Sequence, residues 1–184
     1  MNLKYTITFY SGWHCGSGLS AGADVDLLVI KNKDGLPFVP GKTMKGLFRE
    51  AVELYAELKQ NVTAESVNNV FGMFNDKDCY TKGVAFFTNA ELCEKESAAI
   101  VANSVQSLMY RRLTATAIGE NGVAVDHSLR RIEVAIPCEL LGSIIDLPDD
   151  FANVIIQSAG LIKRLGSWRN RGLGRCAITF QEDK

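Results

Sequence analysis

The sequence predicts an α+β sandwich, a small sheet backed by two helices with a β-hairpin standing out from it, and three observations carry the prediction. Leu3, Tyr5, Ile7 and Phe9 alternate with polar neighbours, the period-2 signature of a half-buried strand. Two later stretches, 41–59 and 149–165, place apolar residues at three- and four-residue steps, as helices with one buried stripe do. Between them, alternating segments turn at Glu120-Asn121-Gly122, a hairpin signal. The order β, α, β, hairpin, β, α, β is that of the ferredoxin-like (RRM-like) sandwich. At 184 residues the chain can bury a core as one domain, so 1–184 is expected to form a single unit with the hairpin inserted at about 111–129.

Each element has its own local reason. The first strand ends in SGWHCGSGLSAGAD, whose glycines mark a loop that another backbone can approach closely. Val25 to Ile30 reads as a short strand whose start carries Asp24 and Asp26, two carboxylates on one face. Asp34-Gly35 turns the chain, and an X-Pro corner leads into a helix opened by Gly41, with Met44, Leu47, Phe48, Ala51, Val52, Tyr55 and Leu58 as its apolar stripe. A shorter helix follows from Thr63, its N-cap, to Val70, and Phe71-Gly72 closes it. Residues 73–82 read as irregular, GVAFFTNAEL as a strand, and 94–108 as a weak helix. An isolated hairpin at 111–129 would be mobile until it met a partner. Ile132, Val134 and Ile136 continue as a strand, Asp149-Asp150 cap the last helix, and Cys176 to Phe180 is the last strand.

Composition narrows the functional classes. A formal net charge of −1 is not that of an overall polycation, so nucleic-acid binding needs a local basic surface offset by acids elsewhere. Five cysteines, odd in number, far apart and without a CxxC pair, read as reduced thiols in a cytoplasmic protein and argue against a metal knuckle. MNLKYTITFY lacks the apolar core of a signal peptide, and no stretch approaches ~18 uninterrupted apolar residues, so no membrane partner is expected. No nucleotide loop, metal cluster or nucleophile triad suggests a small-molecule enzyme.

Charge gathers in two places. Lys42, Lys45 and Arg49 fall at i, i+3 and i+7 in the first turns of the long helix, beside N–H groups without helical partners, an arrangement that suits phosphate and equally suits a solvated helix start. Near the C-terminus, KRLGSWRNRGLGRC interleaves Lys163, Arg164, Arg169, Arg171 and Arg175 with glycines, and basic side chains on such a loop follow a phosphate backbone closely. If both segments serve one polynucleotide, they must meet in space.

The motifs WHCGSG, GLPFVPGKTMKGLFRE, Phe71-Gly72, KGVAFFTNAEL, the GENG hairpin tip and RLGSWRNRGLGR, in this order over almost the whole chain, resemble the RAMP superfamily of CRISPR proteins. The likeness is greatest to the backbone subunit of type III effector complexes. Lys42-Thr43-Met44 stands where the family has Ser-Ser-Leu, and Trp168 adds bulk to the glycine loop. The resemblance implies a subunit that polymerises with further copies of itself and other CRISPR subunits along a guide RNA, while its hairpin, the family's thumb, pushes a base out of the guide–target duplex. It implies RNA contacts at His14, Lys42, Thr43, Lys45, Arg49, Arg169, Arg171, Gly172, Gly174 and Arg175. It also places Asp26, with Asp24 as rival, at the loop aspartate required where target RNA is cut. A carboxylate there could help the 2′-hydroxyl attack its own phosphate, as a base or by holding a divalent ion such as Mg or Mn. Local pattern alone also fits Asp26 as a turn cap, His14 as a satisfied buried histidine and Trp168 as core. Three functions follow: a target-cutting guide-RNA subunit, a non-catalytic RNA scaffold, or a guide-processing endoribonuclease using His14.

Overall fold

Alternation in the first residues produces the expected strand: β1, Leu3–Phe9, turns Leu3, Tyr5, Ile7 and Phe9 into the core. The structure, a computed structural model, describes residues 1–22, 25–59, 62–75 and 79–181. Helix α1 spans Gly41–Lys59, where Gly41 is required because a Cβ would lie 2.1 Å from the Phe87 carbonyl oxygen. Met44, Phe48, Ala51 and Val52 are its buried stripe, whereas Leu58 is exposed. Helix α2, Ala64–Phe71, is capped by Thr63, which accepts the Ser66 N–H, and ends at Gly72 with a φ of 84°. The stretch expected to be irregular contains a small antiparallel pair, β2 (Met73–Asn75) and β3 (Cys79–Thr81). Strand β4 is only Phe86–Phe87; α3 covers Glu94–Ala102 and a 3-10 turn follows at Gln106–Met109.

The hairpin is longer at its root than the sequence suggests. Its stem pairs β5 (Tyr110–Ala115) with β6 (Arg130–Ala135), and the expected 111–129 segment is mostly its tip, where Ile118 and Ala124 make an isolated bridge. The strand expected over Ile132–Ile136 is therefore the hairpin's return arm. The sheet strand is β7, Glu139–Ile145, hidden in the sequence because Gly142 breaks its pattern. That glycine has a reason: Tyr5 lies opposite it, and a Cβ would come within 2.4 Å of the tyrosine ring. Val25–Ile30, expected as a strand, forms no ladder. It passes between two neighbours, Leu27 bridging in parallel to Ile132 and Val29 antiparallel to Gly16, so neither neighbour pairs with consecutive residues.

Helix α4, Asp149–Ala159, and β8, Cys176–Phe180, complete the sandwich. The sheet order is β4-β7-β1-β8, all antiparallel, with α1 and α4 packed on the face that carries Tyr5 and Ile7. This is the ferredoxin-like order. A second, smaller apolar cluster of Ile132, Val134 and Leu173, with Leu113 and Trp168 against it, joins the hairpin stem to the C-terminal glycine loop.

Candidate nucleic-acid interface

The C-terminal loop folds back on the loop after β1 because two glycines allow it. Gly174, at a φ of 70°, lies where a Cβ would be 1.9 Å from the Leu165 carbonyl oxygen; Gly166, at 91°, lies where one would be 2.5 Å from that of His14. No side chain fits either position. The Ser167 N–H donates to the His14 carbonyl at 2.8 Å and the Gly174 N–H to that of Gly12 at 2.9 Å, fixing the two loops together. His14 itself is buried, with Nδ1 2.7 Å from the Glu133 carbonyl oxygen. A carbonyl only accepts, so Nδ1 carries the proton of that bond.

These loops and the start of α1 enclose an open groove of about 470 Å³. Lys42, Thr43 and Gly46 line one wall, and Gly166, Ser167 and Arg169 the other. The two cationic segments thus meet, though more than a hundred residues apart in sequence. Beyond Arg169 an adjoining depression, floored by Leu47, Leu54 and Leu161, carries Lys163 and Arg164 on its rim. Glu50 lines both and is the acid along this path.

Not every expected RNA ligand reaches the groove. Lys45 donates to the Ala85 carbonyl at 3.2 Å, and partial burial, then Lys82 and Arg49, hold its ammonium below the usual lysine range. Arg49 donates to the Gly72 carbonyl (2.8 Å), Asn68 Oδ1 (3.1 Å) and Glu53 (2.8 Å), clamping the end of α2. The helix turns both away from the wall formed by Thr43 and Gly46. Arg171 lies over the Trp168 ring at 4.8 Å, Arg175 over Tyr10 at 6.0 Å, and Gly172 is exposed at a φ of 86°. Trp168 packs on the smaller apolar cluster.

Asp26 sits at the foot of the hairpin. Its N–H donates to the Arg131 carbonyl at 2.8 Å and its Oδ2 accepts the Arg131 N–H at 2.7 Å, while the side chain stays exposed. Asp24 lies outside the described residues. Among those described, no three His, Cys, Asp or Glu side chains converge, and no step is assigned to a divalent ion. Burial pushes the Cys15 thiol up to about 12 and those of Cys138 and Cys176 to about 11, which leaves them protonated and inert.

Sequence reasoning missed Glu133, on β6. Its carboxylate accepts the Lys31 ammonium at 3.0 Å and the Val29 N–H at 3.1 Å. The available signal was a lone acid amid the apolar alternation of Ile132 and Val134, but its partners lie a hundred residues earlier. Arg111, Arg112, Arg130 and Arg131, all exposed on the stem, were also overlooked as a group.

Fold and groove together define a ferredoxin-like scaffold with a glycine-walled cationic groove and a projecting hairpin. The family model of the RAMP superfamily matches residues 6–177, and the chain belongs to that superfamily. Among solved structures it is similar to a chain of the type III-B Cmr-beta complex bound to cognate target RNA, with a TM-score of 0.72, 11% identity, and coverage of 98% of this chain and 97% of that one. A chain of the apo state of Cmr-beta gives 0.75 at 12% identity, covering 100% and 98%. One from a type IV-B CRISPR complex gives 0.66 at 14% identity, covering 98% and 90%. A search of curated protein sequences finds no match.

Proposed function

We propose that this chain is a guide-RNA-binding backbone subunit of a type III CRISPR ribonucleoprotein, acting as a single cytoplasmic domain that assembles with other subunits and further copies of itself. The observation that carries the reading is the meeting of Lys42 and Arg169 across one open groove. Cations that hold a sugar–phosphate backbone carry no base information, as gripping guides of any sequence requires. Membership of the RAMP superfamily and likeness to a target-RNA-bound complex support it. The test is binding of a short guide RNA by the purified chain. The Lys42→Ala/Arg169→Ala pair should weaken binding for every sequence and lower the salt slope by about 2, one for each phosphate that is no longer neutralised. A Lys45→Ala/Arg49→Ala pair should leave that slope unchanged. The reverse result would refute the groove.

Target cleavage through Asp26 belongs to the same proposal. In this reaction the carboxylate accepts the proton of a target 2′-hydroxyl, whose oxygen bonds to the adjacent phosphorus as the P–O5′ bond breaks. The leaving oxygen takes a proton from water, giving a 2′,3′-cyclic phosphate and a 5′-hydroxyl. A second reading, a non-catalytic scaffold, is favoured by one observation: Oδ2 of Asp26 already accepts the Arg131 N–H. Asp26→Asn separates the two, because the amide oxygen keeps that hydrogen bond and loses the base. Cleavage lost in both the Asn and Ala variants with guide binding intact supports catalysis; cleavage kept by Asp26→Asn supports the scaffold. The buried, Nδ1-engaged His14 speaks against guide processing by that residue.

A further inference from the structure

Residues 25–31 have no ladder of their own, yet they carry Asp26. On one side the loop after β1 holds them, through bonds such as the Ile30 N–H to the Cys15 carbonyl and the Ser17 N–H to the Leu28 carbonyl, and on the other the hairpin's return strand does. Asp26 exchanges hydrogen bonds with Arg131, and the Glu133 N–H donates to the Leu27 carbonyl at 3.0 Å. The Glu133 carboxylate then takes the Val29 N–H and the Lys31 ammonium, and its side chain is only 14% exposed. Lys31 is further fixed over the Tyr110 ring at 4.0 Å, and the Tyr110 hydroxyl donates to the Gly35 carbonyl at 2.7 Å. Glu133 is thus the one stem side chain whose carboxylate binds the Asp26 segment on its far side, while Arg131 binds it on the near side.

We infer that Glu133 is a positioning residue: its carboxylate locks the 27–31 segment to the hairpin stem and so fixes the place of Asp26 relative to whatever RNA the hairpin engages. The inference rests on the proposed catalytic role of Asp26. Glu133 meets the groove in two ways. Its main-chain carbonyl faces His14 Nδ1, which no change of the Glu133 side chain removes, and the 27–31 segment its carboxylate holds bonds to the groove loop, where the Ile30 N–H donates to the Cys15 carbonyl at 2.8 Å; measuring Kd beside the rate therefore separates positioning from binding. Hydrogen bonds to an ionised carboxylate, such as those from the Val29 N–H and the Lys31 ammonium to Glu133, are roughly twice as strong as neutral ones. Misplacing a reacting group by about 1 Å costs on the order of 10²-fold in rate.

The experiment compares parent, Glu133→Ala, Glu133→Gln, Lys31→Met and Asp26→Ala in the assembled complex, measuring the single-turnover target-cleavage rate and the target Kd separately. Glu133→Ala should slow cleavage by about 10- to 100-fold with Kd within about twofold. Glu133→Gln, whose amide oxygen still accepts the Val29 N–H, should regain most of the loss, and Lys31→Met should show a smaller loss at unchanged Kd. Parent-like cleavage by Glu133→Ala, or a fall in binding that parallels the fall in rate, overturns the inference. Should Glu133→Ala not assemble, Lys31→Met decides, and parent-like cleavage by that variant overturns it equally. If Asp26→Ala itself cuts like the parent, the catalytic reading fails first, and that outcome is distinct from the others.

Discussion

Gly174 and Gly172 are two positions apart and share a left-handed backbone, yet they answer to different constraints. At Gly172 a Cβ would meet nothing within 4 Å, so Gly172→Ala should cost only the left-handed strain, about 1–2 kcal/mol. At Gly174 the Leu165 carbonyl stands in the way, so Gly174→Ala must move backbone, and its denaturant midpoint should fall well below that of Gly172→Ala. The pattern of glycines was visible in the sequence; which of them was indispensable was not, because the obstructing carbonyls of Leu165 and His14 meet Gly174 and Gly166 only once the loop has folded. Arg49 teaches the same lesson. Its spacing from Lys42 suggests phosphate, and its partners make it a clamp, so Arg49→Ala should cost about 1–3 kcal/mol of stability by leaving the Gly72 carbonyl and Asn68 unpaired, with little change in RNA affinity. The cysteines carry a pH prediction. Burial raises Cys15, Cys138 and Cys176 above their usual value of 9.0, so the folded state resists thiolate formation. Their contribution is complete below pH 9 and is lost as pH rises through the folded values; urea midpoints under reducing conditions should therefore decline from about pH 9 upward.

Among elements the hairpin divides into two regimes. Its stem is anchored, since Ile132 and Val134 are fully buried against Leu173, and Ile132→Ala should cost about 2–5 kcal/mol in chemical denaturation. Its tip is not. Ile118 and Val123 are 65% and 68% exposed, and in the free protein limited proteolysis should cut first within 116–129, with protection once RNA and neighbouring subunits are present. The long periodic elements, β1, α1 and β8, were legible from sequence because their patterns are local. β7 was not, because its break at Gly142 is set by a ring on the neighbouring strand, and the 25–31 segment was not, because its bonds divide between the hairpin and the loop after β1 instead of following one continuous partner.

Across the whole molecule, the near-neutral chain concentrates its relevant cations along one groove and its continuation, from Lys42 past Arg169 to Lys163 and Arg164. That the two basic segments meet was a condition readable from sequence; which cations would face the groove depended on the helix's rotation and on competing partners. The most direct test of a guide running through this groove is ultraviolet crosslinking of the purified ribonucleoprotein, with crosslinked peptides located by mass spectrometry. RNA adducts are expected within 40–50 and 163–172. Adducts confined instead to the open sheet face, at Lys4, Thr6, Thr8 and the exposed Phe86, would contradict it.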